Sequence, residues 1–270
     1  MTSREPGQTR SRGEISRDQQ STPGNNGASQ AFSRNGAPSR MGGVLLEPTP
    51  ASALFDSNAQ HQIPDIVIRR LPIYVRTLRA LTDADIRSVS SEELAEVIGV
   101  TAAQIRRDLS YFGKFGKQGK GYDTHFLAQT ISHILRLDRQ WPVALVGLGN
   151  LGRAIANYRG FTPSSFSIVA IFDRSSRNVG NVVNGLEILN DDYLTNTIIR
   201  ERIKIGIIAT PKTYAQDIAD RMIAGGVEAI LNYAPTILRV PERVTVREID
   251  PVGALQSMTY YISERGGAPT

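Results

Sequence analysis

From Ile66 onward, apolar residues recur at three- and four-residue steps (Val67, Leu71, Tyr74, Val75, Leu78, Leu81), with arginines at 69, 70, 76 and 79 between them. That spacing predicts an amphipathic helix. Pro72 falls inside the run, which predicts a first-turn position for it or a kink. Ser90 and Glu93 then stand at capping-box spacing ahead of Leu94, Ala95, Val97 and Ile98, so a second helix is expected to stop at Gly99. Thr101 caps a third helix over residues 102–111, closed by Gly113. Two short helices joined by Gly99-Val100-Thr101 form a helix-turn-helix signal. After Trp141-Pro142 the pattern changes to short apolar runs alternating with helical spacing: strands at 143–146, 166–172, 203–209, 229–231 and 244–249, with helices at 152–158 and 214–224. This alternation predicts a mostly parallel sheet covered on both faces. A last amphipathic helix over 251–265 presents Leu255, Met258, Tyr261 and Ile262 on one side.

Residues 1–62 break the pattern. They are rich in Ser, Gly, Asn, Gln, Arg and Pro and nearly free of aromatic and β-branched residues, a composition that does not offset the entropy of ordering. A disordered tail is expected there, its arginines nearly matched by acids, so that both an inert and a nucleic-acid-binding tail stay open. At 270 residues the chain has room for two further folded units, given about 100–200 residues per domain. The boundaries expected are 63–138 for a helical DNA-binding domain, 139–250 for the α/β domain, and 251–270 for the last helix and tail. With no cysteine, disulfides, thiolate metal sites and cysteine nucleophiles are excluded. No metal is expected, and the composition fits a cytoplasmic protein. The N-terminus carries no apolar signal segment, and no run approaches the ~18 apolar residues of a membrane span. A net charge of +5 and a pI near 9.6 favour a polyanionic partner.

The run Gly147-Leu148-Gly149-Asn150-Leu151-Gly152 satisfies GxGxxG between an expected strand and an expected helix, the context that makes it a dinucleotide fingerprint of the Rossmann type. The first glycine permits the tight turn, the second lets backbone approach a pyrophosphate, and the third lets helix and strand pack closely. Asp173 ends the next strand at the distance expected of an acid that takes the adenosine ribose hydroxyls, which favours NAD(H) over NADP(H). Its neighbour Arg174 complicates that choice, because an arginine there can pair with a 2′-phosphate. Thr210 and Pro211, at the turn after the strand at 203–209, join the expected cofactor-binding residues. His61, His125 and His133 all precede the fingerprint, and no tyrosine beyond residue 140 has a lysine four residues on. Lys212 is the one candidate for chemistry, so a cofactor site with little apparatus for turnover is expected.

Positive charge is densest over 101–122, where Arg106, Arg107, Lys114, Lys117 and Lys120 face Asp108 alone. The third helix carries Gln104, Arg106, Arg107, Ser110 and Tyr111 as candidates to enter a major groove and read base edges. Residues 115–122 alternate glycine and lysine before Tyr122, a turn suited to a wing that contacts phosphates with Lys117 and Lys120.

With these motifs in hand, the chain resembles the Rex family of redox-sensing transcriptional repressors from about Pro64 to Ile262. The resemblance rests on the residues 104–113, the wing ending Gly119-Lys120-Gly121-Tyr122, the turn 147–152, and Ile230-Leu231-Asn232-Tyr233-Ala234-Pro235. It implies a homodimer with an N-terminal winged helix-turn-helix domain, a Rossmann-like doubly wound parallel sheet, and a C-terminal helix swapped onto the partner. It further implies that NADH binding releases double-stranded operator DNA, with NAD+ as a competing ligand that permits DNA binding. By the same resemblance, Tyr158 lies near the nicotinamide, and Asp250 pairs with Arg76 as an interdomain switch. Pro251 departs from the family, which has a larger apolar residue at that place. Two other readings stay open: an NAD-dependent oxidoreductase with an accessory N-terminal domain, resting on Lys212, and a constitutive DNA-binding protein whose Rossmann fold is vestigial.

Overall fold

The computed structural model describes residues 63–115, 121–161 and 164–265, with side chains as far as Ile262. The expected tail at 1–62, the wing residues Lys117 and Lys120, and the last residues of the chain lie outside the described residues. All described residues fall within one compact unit.

The first helix, α1, spans Asp65–Asp83 and buries Val67, Leu71, Tyr74, Val75 and Leu78. Pro72 sits in its interior and not in its first turn, where it removes one backbone donor. After the short strand β1 (Ser88–Val89), helix α2 (Ser91–Ile98) begins with the capping box the spacing predicts. Ser90 Oγ accepts the Glu93 N–H at 3.1 Å, and the Glu93 carboxylate accepts the Ser90 N–H at 2.7 Å. Gly99 ends α2 with φ of +80°, a left-handed conformation natural to glycine. Helix α3 (Ala102–Ser110) is capped by Thr101, whose Oγ1 accepts the Gln104 N–H at 3.1 Å. Strand β2 (Tyr122–Asp123) pairs antiparallel with β1, Val89 opposite Tyr122, and closes the base of the segment that follows α3. Helix α4 (Thr124–Ile134) lies against α1. Leu71, Tyr74, Leu78, Leu94, Ile105, Leu127 and Ile131 form one core shared by all four helices.

Seven strands follow: β3 (Trp141–Val146), β4 (Phe166–Asp173), β5 (Val182–Val183), β6 (Leu186–Asn190), β7 (Ile205–Ile208), β8 (Ala229–Asn232) and β9 (Thr245–Glu248). They form one sheet in the order β5-β6-β4-β3-β7-β8-β9, parallel except for the β5–β6 hairpin. Without β5 this is the doubly wound order whose direction of growth reverses beside β3. Along β3, Val143 and Leu145 face helix α5 (Asn150–Ala156), whereas Ala144 and Val146 face the side covered by α6 (Leu194–Glu201) and α7 (Lys212–Ala224). Burial on both faces explains why this strand reads as an unbroken apolar run. The hairpin, α4 and α6 have no counterpart among the expected elements, and α5 stops at Ala156, short of Tyr158.

The final helix, α8 (Pro251–Arg265), is capped by Asp250, whose Oδ1 accepts the Val252 N–H at 3.0 Å. Its side chains Leu255, Met258, Tyr261 and Ile262 are each more than half exposed. Among the described residues, no helix is long and apolar enough to cross a membrane.

Candidate dinucleotide and DNA-binding sites

The glycine turn emerges from the C-terminal end of β3, beside the end of β7, at the point where the strand order reverses. Each of its glycines answers a different steric demand. Gly147 has φ of +95°, and a Cβ there would come within 2.6 Å of the Ala209 carbonyl oxygen. A Cβ on Gly152 would meet the Gly147 carbonyl oxygen at 1.9 Å, so that glycine lets α5 start tight against the strand end. Gly149 is the opposite case: a Cβ there would have nothing within 4 Å, and its φ of −68° is one any residue adopts. Neither strain nor crowding accounts for that glycine. Open space above its backbone is what the approach of a pyrophosphate requires.

Asp173, at the end of β4, is 9% exposed and braces the turn. Its Oδ2 accepts the Leu148 N–H at 2.6 Å and its Oδ1 accepts the Ser175 N–H at 2.7 Å. Each oxygen keeps a lone pair for a further donor. Across the crevice, Thr210 packs against Gly147, its Cγ2 being 2.8 Å from where a Cβ would stand. Thr210 Oγ1 is buried without a hydrogen-bond partner among the described residues. Leaving a buried hydroxyl unsatisfied costs on the order of 1–3 kcal/mol, a cost that a polar ligand in the crevice removes. The open backbone at Gly149, the half-used carboxylate of Asp173 and the orphaned hydroxyl of Thr210 therefore fit a dinucleotide. Pro211 opens the turn into α7, Lys212 is exposed at its first position, and Asn150 and Leu151 are exposed in the first turn of α5.

Tyr158, expected near the nicotinamide, stands away from the glycine turn of its own chain. Tyr158 is 63% exposed beyond the far end of α5, in edge contact with Phe161, on a groove of about 690 Å³ that includes Phe166 and Asn184. With a rise of about 1.5 Å per residue, a seven-residue helix separates it from the glycine turn. The Arg76–Asp250 pair is also not formed: Arg76 is exposed on α1 and Asp250 caps α8. The ion pair that links α1 to the sheet joins Asp65 to Arg247 of β9, and the Arg247 hydrogen bond holds the Asp65 carboxyl below its ordinary range.

The third helix presents a narrower face than its composition suggests. Ala103, Arg107 and Ser110 are exposed on it at three- and four-residue steps, and Tyr111 and Lys114 are exposed just past its end. Gln104 is turned inward, donating to Asp108 Oδ1 at 2.7 Å. Arg106 reaches back to α2, 2.7 Å from both Ser91 Oγ and the Glu92 carboxylate. Asp108, the one acid among the basic residues of 101–122, is fully buried. It also accepts from Arg70 Nε at 2.6 Å, from a second Arg70 nitrogen at 2.8 Å and from the Tyr74 hydroxyl at 2.6 Å. Burial pushes its carboxyl up, but the donors of Arg70, Tyr74 and Gln104 more than offset this and leave it below the ordinary range. Burial, followed by the bond to Asp108, pushes the Tyr74 hydroxyl well up. The cluster fixes the inner side of α3 to α1. Its sequence signal was Asp108 itself, three residues after Ile105 and next to Leu109 on the apolar stripe.

Two family models match the chain: "Putative DNA-binding protein N-terminus" over residues 62–110 and "CoA binding domain" over residues 138–236. A "Redox-sensing transcriptional repressor Rex" of Chloroflexus aurantiacus is 54% identical over 200 residues, 74% of this chain and 94% of the relative. A crystal structure of RSP in complex with beta-NAD+ and operator DNA matches with a TM-score of 0.72 and 40% identity, covering 75% of this chain and 94% of that one. RSP in complex with beta-NADH matches with a TM-score of 0.69 and 38% identity, over 76% and 96% of the two chains.

Proposed function

The chain belongs to the Rex family of redox-sensing transcriptional repressors, and from that premise we propose that it binds operator DNA when NADH is scarce and releases it when NADH binds. The carrying observation is the presence, on one chain, of a dinucleotide crevice with open backbone at Gly149 and a helix-turn-helix whose exposed face carries Arg107. The crevice belongs to a regulator and not to an enzyme, in line with relatives that are repressors. NADH supplies occupancy, a signal of redox state, and no hydride is transferred.

In this reading the main-chain groups of residues 147–152 receive the pyrophosphate, Asp173 accepts from the adenosine ribose, and Thr210 donates its orphaned hydroxyl to the cofactor beside Pro211. Arg107, Ser110, Tyr111 and Lys114 face DNA, with Lys117 and Lys120 reaching phosphates. Gln104 and Arg106 act indirectly, by holding α3 in place. The exposed apolar side of α8 supports a homodimer in which that helix crosses to the partner, and Tyr158, exposed and distant from its own glycine turn, suits a contact made in the dimer. Coupling needs a contact that forms in one domain arrangement and not in the other; Asp65–Arg247 is a formed candidate, and Arg76–Asp250 would be its counterpart in the other state. The site of action is the cytoplasm, where operator DNA lies.

Operator affinity measured across NADH/NAD+ ratios tests the proposal. Affinity should fall as the NADH fraction rises. Equal affinity at all ratios refutes it, because a ligand without differential affinity for two states shifts nothing.

A further inference from the structure

Arg174 stands one residue beyond Asp173, a position from which an arginine in a Rossmann crevice can reach a 2′-phosphate. Here its guanidinium is already committed. Nε donates to Asp191 Oδ2 at 3.1 Å, a terminal nitrogen lies 3.0 Å from the same oxygen, and that nitrogen is 3.7 Å from the Asp217 carboxylate. The guanidinium also stacks on Tyr214, 4.8 Å from the ring centroid. Asp191 follows β6 and its side chain is buried, whereas Asp217 and Tyr214 belong to α7. Arg221 completes the cluster, 3.7 Å from the Asp191 carboxylate and 3.5 Å from that of Asp217, and donates to the Asp191 main-chain carbonyl.

Two guanidiniums and two carboxylates leave this cluster near neutral. A 2′-phosphate of charge about −1.5 to −2 would meet the Asp173 carboxylate while the Arg174 guanidinium stays engaged by Asp191 and Asp217. For Arg174 to reach it, the buried carboxylate of Asp191 would give up both contacts to that guanidinium and keep only Arg221, 3.7 Å away. We propose that Asp191, assisted by Asp217 and Tyr214, holds Arg174 away from the 2′-phosphate position and is thereby a determinant of selectivity for NADH over NADPH. The inference rests on the crevice being an NADH site, and it assigns selectivity to residues outside the glycine fingerprint.

Fluorescence titrations with NADH and NADPH test it, on wild type, Asp191→Asn, Asp217→Asn, Arg174→Ala and the double variant Asp191→Asn/Arg174→Ala. Wild type should prefer NADH. Asp191→Asn should narrow the NADH/NADPH affinity ratio by strengthening NADPH, by about tenfold for one charge-assisted hydrogen bond released to the phosphate, and Asp217→Asn, which leaves the Asp191 bonds in place, should narrow it in the same direction but by less. Adding Arg174→Ala should restore the wild-type ratio, and Arg174→Ala alone should leave it unchanged. The proposal is overturned if both acid variants bind NADH and keep the wild-type ratio, or if Arg174→Ala by itself selectively weakens NADPH. Asp217 is 58% exposed, so its variant carries the test even where Asp191→Asn fails to fold. Failure of wild type to bind NADH would refute the NADH reading of the crevice instead, a result distinct from an unchanged ratio.

Discussion

Asp108→Asn probes the buried cluster at constant volume: it removes the charge and turns one of two accepting oxygens into an amide donor facing the donors of Arg70, Tyr74 and Gln104. Three side chains converge on that carboxylate, and Arg70 is left as a cation whose side chain is only 19% exposed. Removing one partner of a buried pair costs about 3–5 kcal/mol. The remaining exposure of Arg70 allows some rehydration and points to the lower end, about 3 kcal/mol. Against a typical stability of about 5–15 kcal/mol, that is a large share for a unit built on four helices. Urea unfolding followed by circular dichroism should show the loss at pH 7, while NADH binding persists because the sheet has separate cores. The sign of the pH dependence follows from the carboxyl lying below its ordinary value of 3.8. Its contribution is fully present above about pH 4 and is lost as pH falls through the folded value. The gap between wild type and Asp108→Asn should therefore close in acid. A difference under about 1 kcal/mol at pH 7, or a gap that widens toward low pH, refutes the reasoning.

Two of the fingerprint glycines should separate by phenotype. Gly149→Val is expected to keep the wild-type melting temperature and operator binding but lose the NADH response. Gly152→Ala, whose Cβ would meet the Gly147 carbonyl oxygen at 1.9 Å, should lower the melting temperature itself. Arg107→Ala should weaken operator binding by about 1–3 kcal/mol if it makes a bidentate base contact, with NADH titration unchanged. Arg106→Ala should instead weaken all DNA sequences alike, since its guanidinium is spent on Ser91 and Glu92. Arg247→Ala removes an exposed pair and should leave the melting temperature close to that of wild type. Its effect should appear in the ratio of operator affinities with and without NADH, and an unchanged ratio would remove Asp65–Arg247 from the coupling.

What the sequence made legible was local. The capping box of Ser90 and Glu93, the stop at Gly99 and the glycine turn each depend on residues a few positions apart, and all three stand as expected. The β5–β6 hairpin carried an equally local signal in Asn184-Gly185, both at positive φ, the pair that favours a tight hairpin turn. Helix α6 was harder to read because Thr197 is buried beside Leu194 and Ile198 and interrupts the apolar stripe. Side-chain pairing was the least legible layer. Spacing shows that Arg106 and Arg107 lie on the outside of α3, but only the neighbouring helix decides that one is tied down and the other is not. The same holds for Asp65–Arg247, which spans 182 positions of sequence.

The inward turn of Gln104 and the tethering of Arg106 also set a limit on how finely one chain can choose among DNA sequences. What remains on the face of α3 is one guanidinium fork, Arg107, with Ser110 beside it and Tyr111 and Lys114 just past the helix end. A good bidentate contact discriminates by about 1–3 kcal/mol, whereas an operator stands apart from bulk DNA by about 4–10 kcal/mol. A single copy of this face falls short of that margin. Two copies, one helical turn apart or about 34–36 Å, double the reading and require an inverted repeat. Under the proposed homodimer, discrimination among genomic sites belongs to a pair of chains, and a duplex carrying half of the repeat should lose much of the margin over random DNA.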